Sequence, residues 1–181
     1  PQLVEGYNRP MLFNGSSDYV TGNDGGFPSG NSARTISAWI NPSSVSVVNS
    51  TIFGYGTVAS YQGWGFDLDS NQLNMQTYAQ AASAKSTGLL VAKKWQHVAA
   101  TYDGTTVTYY IDGVAAGTAT FSNTPNTTLN VYEIGRTVWS SGRAYVGGII
   151  NEVVLYNSAL SLAQVQALAA TGPNGGPLPP D

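Results

Sequence analysis

Asp67 and Asp69 form the only close acidic pair on a predicted strand, and they are the first candidates for chemistry. At positions i and i+2 their side chains share one face of the strand. Glycoside hydrolysis needs two carboxyl groups across the bond, about 5–5.5 Å apart for retention or about 6.5–9.5 Å for inversion. Three interpretations are open: a hydrogen-bonding end to a hairpin, which the pattern favours, a sugar or cation contact, or catalysis, which it favours least.

Other catalytic arrangements are missing from the sequence. His97 is the only histidine and there is no cysteine, so a His pair, a multi-histidine metal site and a thiolate zinc site are excluded. There is no Gly-x-Ser-x-Gly elbow, and no Gly-rich phosphate loop precedes a helix. His97 has the parity opposite to Val98 and Ala100 on its strand, which favours a structural role over a ligand contact. The sequence predicts that the chain is not an enzyme.

The hairpin that contains the acidic pair also offers a binding surface. If the apolar side chains of the hairpin face the core, alternation places amides, a carboxyl group and a ring on the opposite face. That row consists of Asp67, Asn74, Gln76 and Tyr78. Amides and carboxylates can hydrogen-bond adjacent sugar hydroxyls, and a ring contacts the apolar face of a sugar. A solvated strand face would show the same pattern, so both interpretations stay open.

Aromatic residues in Gly- and Ser-rich stretches extend this surface. Tyr61 and Trp64 lie in one such stretch, and Trp139 lies in another, before Arg143. Rings exposed in loops favour a ligand platform, although the parity of Trp64 is also that of a core residue. Arg136 and Arg143 could pair with the carboxylate or sulfate of an acidic sugar, with a structural role favoured for Arg136.

Composition narrows the class of protein. Charged residues make up 9% of the chain, against roughly 25% in an average domain, and the formal net charge is −3. The absence of a basic patch argues against nucleic acid as a partner, and no apolar run approaches the ~20 residues of a membrane span. This polar, cysteine-free composition is typical of secreted or cell-surface bacterial modules and predicts an extracellular location.

The ends have the composition of linkers. The chain begins with Pro1, and the last eleven residues contain four prolines and three glycines. We therefore expect a leader or linker at 1–10, a single domain at 11–171, and a Pro/Gly-rich linker at 172–181.

Period-two alternation between Gly, Asn and Asp turns runs along most of the domain, which predicts an all-β antiparallel sandwich or barrel. Only one helix is predicted, at 161–170, where Ser161 can act as the N-cap and Gly172 with Pro173 can end it.

Five ordered motifs resemble the laminin G-like domains of the concanavalin A-like lectin/glucanase superfamily. They are MLFNGSSDYVTG, TISAWINP, KKWQHVAATYDG with YYIDG, EIGR, and GGIINEVVLYNSALSLAQVQAL. The resemblance implies a jelly roll of two curved antiparallel sheets that binds ligands on its concave face or rim loops. The glucanase branch carries a Glu-x-Asp-x-(x)-Glu run on one strand, and this sequence has none.

The resemblance also implies a possible calcium ion, because related sandwiches often hold a structural one where the opening and closing strands meet. Asp18 and Asn151 occupy the matching segments. Asn151 stands where the family usually has Asp, which would weaken such a site.

Two functions follow as expectations. The first is a non-catalytic carbohydrate-binding module of a secreted bacterial polysaccharide-active protein, appended to a glycoside hydrolase or polysaccharide lyase, with a polysaccharide or oligosaccharide as ligand. The alternative is a protein-binding adhesion or spacer domain of a cell-surface protein. In both cases neighbouring domains of the parent chain are expected partners.

Overall fold

The structure is a computed structural model that describes residues 2–3, 10–137 and 144–173. Within these ranges the chain forms strands and one short helix. The strands are β1 (Gln2–Leu3), β2 (Met11–Asn14), β3 (Val20–Asn23), β4 (Arg34–Pro42), β5 (Ser50–Gly56), β6 (Gly63–Asp69), β7 (Gln72–Thr77), β8 (Gln80–Ala81), β9 (Gln96–Tyr102), β10 (Thr106–Ile111), β11 (Val114–Thr120), β12 (Val131–Ile134) and β13 (Gly147–Tyr156). The helix, α1, is Leu162–Ala170.

The strands form two antiparallel sheets that face each other as a sandwich. One sheet has seven strands in the order β1-β2-β13-β4-β9-β10-β11, and the other has six in the order β3-β12-β5-β6-β7-β8. Each sheet thus has an inner face toward the core and an outer face away from it. The all-β sandwich with one C-terminal helix confirms the predicted fold class.

The core lies between the inner faces and follows the predicted alternation. On the β6–β7 hairpin, Phe66 and Leu68 face Met75 and Leu73, and all four side chains are buried. Burying a side chain of this size contributes roughly 1.5–3 kcal/mol. The parity on which the candidate binding row depends is therefore correct.

Tight turns join the hairpins. Ser70 and Asn71 both have positive φ, at 54° and 60°, and Asp69 pairs directly with Gln72, so two residues turn the β6–β7 hairpin. Asp112 and Gly113 form the same kind of turn between β10 and β11.

The helix forms as predicted and covers part of the outer face of the seven-stranded sheet. Ser161 is its N-cap, and a capping box with Gln164 closes its first turn. Val165 is buried against Ala99 and Tyr110 of the sheet. No helix in the described part of the chain is long and apolar enough to span a membrane.

Both predicted linkers have a described portion that contacts the sandwich. Gln2–Leu3, within the predicted leader, pairs with β2. Near the other end, the Asn151 side-chain amide donates a hydrogen bond of 2.6 Å to the carbonyl oxygen of Pro173. Residues 174–181 of the predicted tail linker lie outside the described residues.

Candidate functional site

Trp64 does not form part of a ligand platform, and the prediction that it binds sugar is wrong. Its side chain is 1% exposed and lies on the inner face of β6. The guanidinium of Arg34 stacks over its ring at 4.5 Å, and the Tyr102 ring centroid lies 5.0 Å away. The parity shared with Phe66 was the correct signal, so Trp64 belongs to the core.

The predicted polar row exists on the outer face of the six-stranded sheet, but only part of it is accessible. Asp67 pairs directly with Asn74, and both side chains are buried. Gln76 is half-buried and donates its side-chain amide to the Asp67 carboxylate. The expectation that Asp67 and Asn74 are displayed to a ligand is therefore wrong, because neither side chain reaches the surface.

Asp67 is an unusual carboxyl group because it is buried beside few hydrogen-bond donors. Burial raises its pKa to about 7, while the hydroxyl of Thr51 and the amide of Gln76 act in the opposite direction. The Thr51 hydroxyl lies close enough to affect this pKa without forming a well-aligned hydrogen bond, and one oxygen of Asp67 has no partner. Asp69 instead forms an ion pair of 2.9 Å with Lys85. The acidic pair is thus divided between a buried carboxyl group and a salt bridge.

Tyr61 and Tyr78 meet at one end of the six-stranded sheet. The backbone N–H of Tyr61 donates to the Tyr78 carbonyl oxygen at 2.9 Å, and both side chains are half-buried. The loop between β5 and β6 carries Tyr61, and Tyr78 directly follows β7. Two rings of this kind offer flat apolar surface with a phenol group at the edge.

Two amide side chains, Gln80 and Asn123, complete this end of the sheet. The Gln80 side-chain oxygen accepts from the backbone N–H and the side-chain amide of Asn123, both at 3.0 Å, and the Gln80 amide donates back to the Asn123 carbonyl. The Asn123 amide also approaches the Tyr61 hydroxyl at 3.4 Å. We call Tyr61, Tyr78, Gln80 and Asn123 the rim cluster.

Backbone conformation at the rim cluster is unusual. Tyr61 has φ of 64° and Ala79 has φ of 69°, a left-handed region that bulky side chains rarely adopt. The hydrogen bond to Tyr78 and a second, from the Asn126 N–H to the Tyr61 carbonyl, hold Tyr61 in this conformation. Residues held in such conformations cluster at functional sites, where surrounding contacts fix them.

The sequence pattern predicted Tyr61 and Tyr78 as ligand contacts but did not predict Gln80 and Asn123. These two residues are 43 positions apart, and neither lies in a motif or a strand of clear periodicity. Their pairing depends on how the loop at 121–130 returns beside β8. No local signal in a single sequence reports such a contact.

Trp139 and Arg143, the other predicted ligand contacts, lie outside the described residues, so they stay predictions. Arg136 is not available for an acidic sugar. It pairs with both carboxylate oxygens of Glu133, and its guanidinium lies 3.3 Å from the ring centroid of Tyr19. Its structural interpretation is therefore the correct one.

The described residues do not fit a calcium ion shared by Asp18 and Asn151. Asn14, four residues before Asp18, pairs with Gly147, and Asn151 lies four residues farther along β13. At about 3.3 Å per residue, Asn151 lies roughly 13 Å along β13 from the Asn14–Gly147 pair, where the Asp18 carboxylate accepts from the Asn14 N–H. The Asn151 amide also donates to Pro173, and no group of three His, Cys, Asp or Glu side chains that could hold a metal occurs in the described ranges. A structural calcium ion in this domain stays a prediction.

His97 lies on the outer face of the seven-stranded sheet, beneath the end of α1, and is buried. Its Nε2 atom hydrogen-bonds the Ser37 hydroxyl at 2.8 Å, and the Trp39 ring packs edge-on against it at 5.5 Å. Burial lowers the pKa of His97 to about 4, against a weaker opposing effect of Asp112. A cavity of about 10 Å³ lies between these residues, Glu152 and the helix, too small for a sugar. His97 is thus a neutral, structural imidazole.

The two facing antiparallel sheets form a lectin-like sandwich. The family model of the laminin G type 3 group, described as the concanavalin A-like lectin/glucanases superfamily, matches residues 14–166 of the sequence. The chain belongs to this superfamily. No curated protein sequence matches the chain.

Solved structures share the fold at low sequence identity. A sialidase carbohydrate-binding module of Ruminococcus gnavus, bound to α2,3-sialyllactose, matches with a TM-score of 0.67 and 13% identity over 91% of this chain and 100% of its own. Domain 4 of an extracellular arabinanase of Geobacillus stearothermophilus, in complex with arabinotriose, matches with a TM-score of 0.61 and 18% identity over 91% and 90%. A pentraxin of Limulus polyphemus matches with a TM-score of 0.68 and 17% identity over 90% and 82%.

Proposed function

We propose that the chain is a non-catalytic carbohydrate-binding module and that the rim cluster contacts the sugar. One observation carries the proposal: Tyr61 is held in a left-handed conformation beside Tyr78, at a rim where two amide side chains fix each other. Rings contact the apolar face of a sugar, and neighbouring amides exchange hydrogen bonds with its hydroxyls. The hydrogen bonds of the cluster hold these groups in place before a ligand arrives, which lowers the entropic cost of binding.

The distribution of acids supports a binding role over hydrolysis. Asp67 is buried, and Asp69 is nearly buried and paired with Lys85. Glu133 is engaged by Arg136. Catalysis of glycoside hydrolysis requires a pair of carboxyl groups facing an open cleft, and these three do not form one.

Composition and fold support an extracellular location for the domain and a catalytic domain as its neighbour. Few charges and no cysteine are typical of extracellular bacterial domains. Structural neighbours with the same fold include modules bound to arabinotriose and sialyllactose. We therefore place the chain beside a glycoside hydrolase or polysaccharide lyase that acts on a polysaccharide.

Affinity electrophoresis through gels containing plant, algal or host polysaccharides tests the proposal. Tyr78→Ala should weaken retention by the retaining polymer at least tenfold, since losing an aromatic anchor typically costs about 2 kcal/mol or more. Tyr78→Phe, which keeps the ring, should retain most of the binding. Both variants should melt close to wild type because the side chain is only half-buried.

A matched pair of glutamine variants controls for general surface effects. Gln80→Ala removes the side chain that fixes Asn123 and should weaken retention, whereas Gln166→Ala, on the exposed face of α1, should not. Equal retention of wild type, Tyr78→Ala and Gln80→Ala on every retaining polymer would mean that the rim cluster is not the site.

A second candidate function, protein binding in an adhesion or spacer domain, is favoured by one surface feature. An open apolar groove of about 270 Å³ lies beside the edge strand β11, and Leu89 and Val114 on its wall are 57% and 68% exposed. Exposed apolar surface of this kind is typical of protein contacts. Failure of the domain to bind any polysaccharide in the panel would favour this alternative.

A further inference from the structure

The charge distribution around the rim cluster indicates which class of sugar it can bind. This inference rests on the proposed function. We infer that the rim cluster binds uncharged sugar chains and rejects chains that carry carboxylate or sulfate groups. The three segments that build the rim, 57–62, 78–84 and 121–130, contain no Asp, Glu, Lys, Arg or His. The side chains of the cluster are likewise all phenols and amides.

Arg34 contacts one of the rim segments but is buried, and its guanidinium donates to the Tyr55 hydroxyl and to the hydroxyl of Thr127 in the 121–130 segment. Lys85 is paired with Asp69, and this pair adjoins the far end of the β6–β7 hairpin from Tyr61 and Tyr78.

The remaining described cations belong to other surfaces. Arg136 is held by Glu133 and stacked on Tyr19. Lys93 and Lys94 lie in the turn before β9 of the seven-stranded sheet, where the backbone N–H of Lys93 donates to the Pro42 carbonyl oxygen. None of these side chains hydrogen-bonds to a member of the rim cluster.

One carboxylate that contacts a rim segment would repel an anion rather than bind it. Asp24 is buried and accepts from the Asn130 N–H at the end of the 121–130 loop.

The hydrogen-bonding groups of the rim cluster suit neutral sugars better than acidic ones. Amides and phenols both donate and accept hydrogen bonds, as sugar hydroxyls do, so a neutral sugar exchanges its water contacts for equivalent ones. A carboxylate or sulfate would lose hydration without gaining a charged partner, which is costly at a partly buried surface.

A matched pair of polymers tests the inference directly. One neutral polysaccharide that retains the domain is compared with the same polymer after oxidation of its C6 hydroxyls to carboxylates. The inference expects at least tenfold weaker retention on the oxidised polymer. Retention on the neutral polymer should change less than twofold between 20 mM and 500 mM salt, since screening acts only on charges.

A gain-of-function pair sharpens the test. Ser122→Lys places a cation beside Gln80, whose side-chain oxygen accepts from the Ser122 hydroxyl, and should restore part of the retention on the oxidised polymer at low salt. Gln166→Lys adds the same charge on α1 and should restore none. A thermal melt of each variant confirms that it folds.

Three outcomes separate the inference from the proposed function. Weak retention on the oxidised polymer with strong, salt-independent retention on the neutral one supports both. Equal or stronger retention on the oxidised polymer overturns the inference and leaves carbohydrate binding intact. If Arg143→Gln then loses the retention on the oxidised polymer, the anion contact is assigned to Arg143. Absence of retention on every neutral and acidic polymer overturns both.

Discussion

The two outer faces of the sandwich differ in how far their polar side chains are exposed. On the seven-stranded sheet, α1 covers the surface and encloses His97 and Ser37 against the sheet. On the six-stranded sheet, Asp67 is buried, but the same hairpin ends in the half-exposed Tyr78 and Gln80. The helix-covered face thus serves packing, and the other face ends in a preorganised surface that can meet a ligand.

Burial acts on the two titratable groups of these faces in opposite directions. It lowers the pKa of His97 to about 4 and raises the pKa of Asp67 to about 7, because in each case the neutral form is favoured. The charged groups facing His97 are Asp112 and, across the small cavity, Glu152, whose own pKa is raised by burial. Lowering the pH should therefore destabilise the helix-covered face through His97 and stabilise the other face through Asp67.

The largest expected effect lies in the core that both faces share. Trp64→Ala leaves a cavity beneath Arg34 and should destabilise the domain by about 3–5 kcal/mol, measured by urea unfolding at pH 7. A normal unfolding midpoint together with lost sugar retention would instead show that Trp64 is a ligand contact.

The next effect isolates the Asp67 face. The pKa of Asp67 is about 7 in the folded state and near 3.8 in the unfolded state. Between pH 3.8 and pH 7 the folded state therefore binds a proton that the unfolded state has released. Stability from this group should rise as pH falls from about 7 to about 4, by at most roughly 4 kcal/mol. Asp67→Asn should raise the free energy of unfolding at pH 8 and change it little at pH 4. A variant that loses stability at pH 8 would show that the carboxylate is well paired.

The helix-covered face should respond with the opposite sign. The folded pKa of His97, about 4, lies below the usual histidine value of 6.5, so the unfolded state binds the proton first. Stability should be complete above about pH 6.5 and should fall by roughly 3 kcal/mol as pH drops to about 4. His97→Gln should remove this decline while keeping a hydrogen bond to Ser37. An unchanged acid profile in His97→Gln would place the acid sensitivity elsewhere.

The smallest effect concerns Asn151, at the end of the helix-covered face. Asn151→Asp removes the amide donor to the Pro173 carbonyl and sets a carboxylate against that oxygen, so we expect a loss of about 1–3 kcal/mol. Calcium should not reverse the loss, and a chelator should not lower the melting temperature of the wild type through this residue. Calcium-dependent recovery in Asn151→Asp would restore the metal site that the family resemblance implies.

The sequence predicted the fold well because its signals are local. Alternation in β6 and β7 assigns Leu68 and Met75 to the core, and Ser161 marks the start of α1 within its own turn. The family motifs add the order of the strands. Each of these features depends on neighbours a few residues away.

The candidate site was predicted only in part because it depends on long-range contacts. Parity placed Asp67 and Asn74 on the outer face, but whether an outer-face side chain is accessible depends on what packs over it. In the same way, Gln80 and Asn123 meet only because two distant segments come together. Asp18 and Asn151 fail as a pair for the same reason: matching segments can be adjacent in the sheet while their residues are out of register.

An amide chemical-shift titration of the labelled domain, with an oligosaccharide of a polymer that retains it, would locate the sugar site on the sandwich. If the rim cluster binds the sugar, the largest shifts should occur at Tyr61, Ala79, Gln80 and Asn123, with little change at Ser37, His97 and Val165. Shifts concentrated at Ser37, His97 and the helix, with the rim cluster unchanged, would contradict the account and move the site to the opposite face of the sandwich.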